Sequence, residues 1–433
     1  MKKIIVIFAC LIFTLNLHSQ ASKVTDNSQK MQWFKDAKLG IFIHWGIYSV
    51  NGIDESWSFF NGYIPYGDYM NQLDGFTAEK YNPKEWADLI DDCGARYAVI
   101  TTKHHDGVAL WDSEAGLLNV VDSTPAGKDL ITPFVKQLNR KKIKTGLYFS
   151  LLDWSHPDYP NFTRKEKRYQ DDSTRWNNFS QFNHQQINEL LKNYNPDLIW
   201  FDGDWEQNAE AWGAKEIRDM ILSHNPNTII NSRLQGYGDY ATPEQGLPIH
   251  KPEDKYWELC MTMNDSWGYQ HNDSNYKSTN LIINIFAQCL WMGGNLLLDI
   301  GPKEDGTIPP EQVKILKELG RWTSKHETAI YGSKGGLPPG YFYGPSTISA
   351  DSTTVYLFLP YSPDGEVMLK GIKNKINRIW VVGNGTKLEH RVYLKPYWSN
   401  EPGLISIDVP EGVLDKNMTV IAVLLDGKLN DLE

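Results

Sequence analysis

"LIWFDGDW", residues 198–205, runs straight from apolar and aromatic side chains into two acids, Asp202 and Asp204. A short apolar run without polar alternation reads as a strand covered on both faces, the habit of parallel sheets. The acids then fall at its carboxyl end. The same form recurs on either side, in "LGIFIHWG" (39–46), "RYAVITTKHH" (96–105), "KTGLYFSLLDW" (144–154), "TIINSR" (228–233) and "GNLLLDIGP" (294–302). Between these runs lie "PKEWADLIDDCG", "DLITPFVKQLNRKK", "NHQQINELLKNY", "AKEIRDMILSH" and "LIINIFAQCLWM", whose apolar residues return every three or four positions, as on amphipathic helices. Alternating strands and helices predict parallel βαβ units. Six or more such units in roughly 300 residues favour a (β/α)8-like, TIM-type barrel over an open sheet. No Gly-x-Gly-x-x-Gly follows the first strand, which weighs against a dinucleotide fold.

After "TAIYGSKGGLPPG" (328–340) the helical period disappears. "TTVYLFLPY", "GEVMLKGI", "INRIWVVG", "LISIDVP" and "MTVIAVLLDG" are strand-like runs separated by Gly, Pro, Asn and Asp turns. The expected organisation is therefore a catalytic barrel over 21–340 and a C-terminal antiparallel β-sandwich over 341–433. At the other end, Lys2 and Lys3 precede an apolar stretch from Ile4 to Leu17, with small residues near Ser19–Ala21. This reads as a signal peptide over 1–20, implying a secreted protein, and the bacterial look of its start points to the periplasm. No later stretch offers 18 uninterrupted apolar residues, so no membrane insertion is expected after signal removal.

The 433 residues carry a net charge of −10, with no basic run longer than "RKKIK" at 140–144. Nucleic-acid binding leans on clustered Lys and Arg, so that class is disfavoured. Beyond the signal stand three cysteines, Cys93, Cys260 and Cys289, too few for a disulfide framework. The 16 Trp and 22 Tyr fit a large aromatic core, and equally suit sugar rings, which are apolar on their C–H faces.

In parallel barrels the chemistry sits at the carboxyl ends of the strands. Here those ends carry His44, then His104 and His105, Tyr148 and Asp153, Asp202 and Asp204, Arg233 and Asp299. The adjacent histidines could suggest a metal, but neighbours on a strand point to opposite faces and zinc needs three or four convergent ligands. No metal is expected. A Gly-x-Ser-x-Gly elbow is missing, and no cysteine sits in a nucleophile motif. Two carboxylates bracketing a sugar remain: one protonates the leaving oxygen while the other attacks or activates water. Asp202, directly after Trp200 and Phe201, is the expected nucleophile; Asp204 reads as a loop residue. The partner acid should come from a neighbouring strand end, where Glu244 is the first choice and Asp239 and Glu258 are rivals.

These residues carry a family resemblance. "GIFIHWGIYSV", "TTKHHDGVALWDS", "DLIWFDGDW", "YWELC" and "GGNLLLDIGPKEDGTIP" together resemble glycoside hydrolase family 29, the retaining α-L-fucosidases, in order and spacing from about Trp33 to Gly332. The resemblance implies an exo-acting hydrolase that releases terminal α-L-fucose with net retention and without metal or cofactor. Its substrate would be a fucosylated oligosaccharide or glycoconjugate. It assigns Asp202 as nucleophile and His44, His104 and His105 as contacts to the fucose hydroxyls. Tyr148 and Trp200 match pocket-lining aromatics, and Arg233 matches a basic residue near the reacting centre. Glu55 and Trp57 resemble the family's Glu–Trp sugar contact, here with Ser56 between them. Glu244 fits the bacterial acid/base pattern, with Glu258 as runner-up. Val108 stands where the family's His-His-Asp-Gly motif continues with Phe, so a looser pocket wall admitting L-galactose-type sugars is an alternative. A non-catalytic fucose-binding protein on a hydrolase scaffold is another. A glycan-binding role for the sandwich would need exposed aromatics, for which Trp380, Tyr393 and Trp398 are candidates.

Overall fold

The computed structural model describes residues 28–116 and 118–430; the proposed signal peptide lies outside them. Seven parallel strands form one curled sheet: β1 (Leu39–Ile43), β2 (Tyr97–Lys103), β3 (Lys144–Ser150), β4 (Leu198–Asp202), β5 (Ile229–Ile230), β6 (Glu258–Thr262) and β7 (Asn295–Ile300). The order across the sheet is β5-β4-β3-β2-β1-β7-β6. Its two edges, β5 and β6, are linked through residues 240–244, by parallel bridges Asn231–Tyr240, Ala241–Trp257 and Glu244–Cys260. This segment acts as the last stave of the barrel, although no helix separates it from β5.

The unbroken apolar character of the strands follows from what covers them. Tyr97 and Val99 of β2 turn into the lumen with Phe42, Tyr148, Leu198, Trp200 and Leu297. Ala98 and Ile100, one residue out of phase, pack outward against the helices. Met31 and Phe34, before and within the helix Gln32–Ala37, belong to the lumen cluster. The outer helices include Pro83–Asp92, Ile131–Lys141, Ser173–Tyr194, Ala214–His224 and Thr279–Met292, as the apolar spacing predicts. Caps fix their starts: Asn82 accepts from the N–H groups of Lys84 and Glu85, and Asp172 from those of Thr174 and Arg175. Pro310–Lys325 adds a helix outside the five read from the spacing.

The C-terminal strands form two antiparallel sheets, one of five strands and one of three. The five-stranded sheet begins with Lys334–Gly335, which pairs with Ser346–Ile348. In the strand Thr354–Leu359, Tyr356 and Phe358 join the core shared with the barrel helices, whereas Val355, Leu357 and Leu359 face the three-stranded sheet. The run "VYLFL" is thus apolar on both faces because both are covered. The seam is also polar: Trp322 Nε1 donates to the Met418 carbonyl at 2.8 Å, and Arg321 pairs with both oxygens of Asp415. Of the three aromatics considered for glycan binding, Trp380 is half-buried, while Tyr393 and Trp398 are 41% and 76% exposed.

Candidate active site

At the carboxyl ends of the strands lies a cavity of about 160 Å³, the volume of about five liquid waters and the scale of a single sugar ring. Its lining contains His44, Glu55, Trp57, His104, Tyr148, Trp200, Asp202, Arg233 and Glu244, with Phe42, Trp205 and Trp267.

β4 ends on Asp202, and Gly203 turns the chain at φ +82, where an added Cβ would meet Leu152 at 2.4 Å. The carboxylate is thereby fixed at the strand tip. Arg233 Nη1 donates to its Oδ1 at 2.8 Å and the Tyr148 hydroxyl to its Oδ2 at 2.9 Å, while His105 Nε2 lies 3.7 Å away. Burial pushes the Asp202 pKa up, but the Arg233 charge, His105 and these hydrogen bonds prevail and hold it below the ordinary aspartate value. Arg233 also donates through Nη2 to Glu244 Oε2, so one guanidinium joins the two carboxylates. Its plane sits over the Trp200 ring, 4.5 Å from the centroid.

Glu244 is carried by the stave that bridges the sheet edges: Cys260 N–H donates to the Pro243 carbonyl and Gln245 N–H to the Cys260 carbonyl. Its side chain is 39% exposed. Glu258, the runner-up, stands elsewhere. It is fully buried below Trp200 and accepts from Tyr97, Tyr240 and Trp200 Nε1. Burial raises its pKa to about 7. Asp239 is likewise structural, accepting from Lys30, Arg218 and the Ile230 N–H. Asp204 accepts from the Gln235 N–H, tying the loop after β4 to the loop that carries Arg233.

Of the two adjacent histidines, only His104 lines the cavity. Its Nδ1 meets Ser56 Oγ at 2.6 Å, and its ring stacks on Tyr148 at 5.7 Å and 6°. Ser56, the residue between Glu55 and Trp57, therefore orients a pocket histidine. His105 is 1% exposed behind Asp202, with Nδ1 at 2.6 Å from Ser150 Oγ. His44 Nδ1 meets Asp299 at 2.7 Å, and burial lowers its pKa to about 3, so the ring is neutral. Glu55 Oε1 accepts from the Gly268 N–H at 2.5 Å, and burial raises its pKa to about 7. Val108 is outside the lining: it is 3% exposed in the core that packs under the helices, so its size does not set the cavity wall.

Phe42, Trp205 and Trp267 complete the aromatic wall. Phe42 precedes His44 by two residues on the same strand face, a spacing that could have identified it. Trp205 closes the quoted "DGDW" and is half exposed. Trp267 reaches His44 at 4.9 Å from the loop after β6, a contact with no local signal. Among the described residues, no group of three or more His, Cys, Asp or Glu side chains converges as metal ligands would.

A barrel with two carboxylates at neighbouring strand ends, set in an aromatic, sugar-sized cavity, defines a glycoside hydrolase. The α-L-fucosidase family model matches residues 14–328. An α-L-fucosidase of Dictyostelium discoideum is 30% identical over 95% of this chain and 96% of its own, and human tissue α-L-fucosidase is 33% identical over 70% and 69%. Among solved structures, α-L-fucosidase isoenzyme 1 from Paenibacillus thiaminolyticus matches with TM-score 0.84 and 31% identity, covering 93% of this chain and 100% of that one. A Bacteroides thetaiotaomicron α-L-fucosidase of glycoside hydrolase family 29, trapped as a covalent intermediate, matches with TM-score 0.81 and 26% identity, covering 92% and 96%. The chain belongs to the α-L-fucosidase family, glycoside hydrolase family 29.

Proposed function

We propose that this chain releases terminal α-L-fucose from glycans by double displacement, with Asp202 as nucleophile and Glu244 as acid/base. The observation that carries the reading is Arg233, which holds both carboxylates at one cavity. A carboxylate kept ionised by a guanidinium is a competent nucleophile, and its rigid seat at the strand tip lowers the entropic cost of attack on the anomeric carbon. The neutral rings of His44 and His104, with Tyr148 and the Glu55 carboxyl, offer the donors and acceptors that a polyol needs. Phe42, Trp57 and Trp267 suit its apolar faces.

Glu244 must carry a proton for the first step and must be free of Arg233 to deliver it. Its exposure and its lack of other side-chain bonds among the described residues let it leave the guanidinium as the leaving group enters. It then donates its proton to the departing oxygen. Water next takes the place of the leaving group, and Glu244 removes a proton as water attacks the fucosyl-enzyme.

The test is hydrolysis of 4-nitrophenyl α-L-fucoside by wild type, Asp202→Ala and Glu244→Ala, with and without azide. The Asp202 variant should lose about 10³-fold or more and recover with azide, giving fucosyl azide of inverted configuration. The Glu244 variant should lose far less on this activated leaving group than on a sugar aglycone, where about 10²–10⁴-fold is expected, and should yield the azide with retention. A rescued Asp202 variant giving retained product would remove it as nucleophile. Export by residues 1–20 belongs to the same proposal; N-terminal sequencing of protein from the periplasmic fraction tests it.

A further inference from the structure

Outside the cavity mouth the surface opens into a groove of about 540 Å³ that shares Trp57 and Trp205 with the cavity itself. The two indoles stack with centroids 6.2 Å apart at 17°, and Phe60 extends the aromatic floor. Arg164, Lys165 and Lys167 also line the groove, and no carboxylate does. Three cations together run against the sign of a chain whose net charge is −10.

In the other basic stretch Arg140 and Lys142 likewise lack a carboxylate partner among the described residues, while the two remaining lysines are held by acids. Lys141 is held by Asp88 and Asp91, and Lys144 by Asp197. Among the described residues no carboxylate pairs with Arg164, Lys165 or Lys167. Arg164 Nε instead donates to the neutral Asn61 side chain at 2.8 Å, with its guanidinium facing the Phe60 ring. The loop that presents these cations is anchored: Arg168 turns inward and donates to the carbonyls of Trp154, Tyr159 and Asn161. Glu166, the acid within the stretch, closes the turn with its backbone carbonyl, which accepts from Phe162 and Thr163, and its side chain is absent from the lining.

We propose that this groove is the leaving-group subsite, built for an anionic glycan whose sugar next to the fucose carries a sulfate ester or a carboxylate. The inference rests on the fucosidase reading above. With fucose in the cavity, the remainder of the glycan must leave through the mouth, and Trp57 and Trp205 are common to both spaces. The aromatic rings take the apolar face of that sugar, and the cations take its charge. Exposed charge contacts of this kind are individually weak and sensitive to salt, so the effect belongs to the cluster rather than to one lysine.

The experiment compares kcat/KM for matched α-L-fucosyl disaccharides whose second sugar is neutral, O-sulfated or uronic, at about 0.02 M and about 0.5 M NaCl. Wild type and the Lys165→Glu/Lys167→Glu variant are measured, with 4-nitrophenyl α-L-fucoside as a further substrate. Wild type should favour at least one anionic substrate about three- to tenfold at low salt and lose that preference at high salt. The double variant should abolish or reverse it; taking the ratio within each enzyme cancels any difference in folded fraction. A preference for one anion alone identifies the source of the charge. Fucose release without charge preference, or a ratio unchanged in the variant, overturns this inference alone. No release from any substrate overturns the fucosidase reading and this inference with it.

Discussion

Trp200 separates two carboxylate clusters in the barrel. On one side the Arg233 guanidinium lies 4.5 Å from its ring centroid and holds Asp202 and Glu244; on the other, the indole Nε1 donates to Glu258. The residue types are nearly the same, yet the environments push them apart. The Arg233 charge, His105 and direct hydrogen bonds together outweigh burial at Asp202 and keep its pKa low, whereas at Glu258 burial prevails over three neutral donors and the more remote Arg233 charge and drives it up to about 7. Two acids one indole apart thus become, in the proposed mechanism, a charged nucleophile and a neutral strut.

Removing the cation should erase the distinction. In Arg233→Gln, burial acts on Asp202 without its main opponent, so the pKa rises. The acidic limb of kcat/KM, which reports the free enzyme, should move to higher pH, with a large loss of activity below it. A limb that stays in place would mean that Asp202 does not set it.

Glu258→Gln probes the other side with a smaller effect. The folded pKa of Glu258 is raised from 4.5 to about 7. Between those values the unfolded chain gives up the proton and the folded one keeps it. Stability is therefore greatest below about pH 4.5 and is lost as pH rises toward about 7, by a few kcal/mol at most. The glutamine variant lacks this titration, so denaturant midpoints of the two proteins should diverge in its favour across that window. Parallel curves would show Glu258 to be ionised in the folded state.

The smallest effect is expected from Ser56→Ala, which leaves both clusters intact and removes one partner of the His104 ring. KM should rise a few-fold with kcat little changed, because a hydrogen bond of about 1 kcal/mol orients a ring that lines the cavity. A fall in kcat alone would instead tie His104 to the reacting charges.

The strands of the barrel were legible because both faces of each are covered, which leaves an apolar run ending in polar side chains. Asp202 and Arg233 were readable for the same reason: each follows such a run. Strand geometry also explains what was read less well. Of His104 and His105, both expected to meet the sugar, His104 lines the cavity while His105 lies beside Asp202, its Nε2 3.7 Å from the carboxylate. Residues 240–244 have no periodic pattern, since they join the barrel through scattered bridges rather than a full ladder. Trp267 approaches His44 only through the tertiary path of its loop. Val108 follows the pocket motif in sequence and leaves the pocket in space.

The stave over 240–244 has one more consequence. It joins the barrel edges by a handful of backbone bonds, with no helix between it and β5 in the chain, yet it bears Glu244. Insertions, deletions or grafts in that segment would shift the proposed proton donor while sparing the packed layers around it. The plank most lightly tied to the barrel is thus the one whose register the proposed chemistry can least spare.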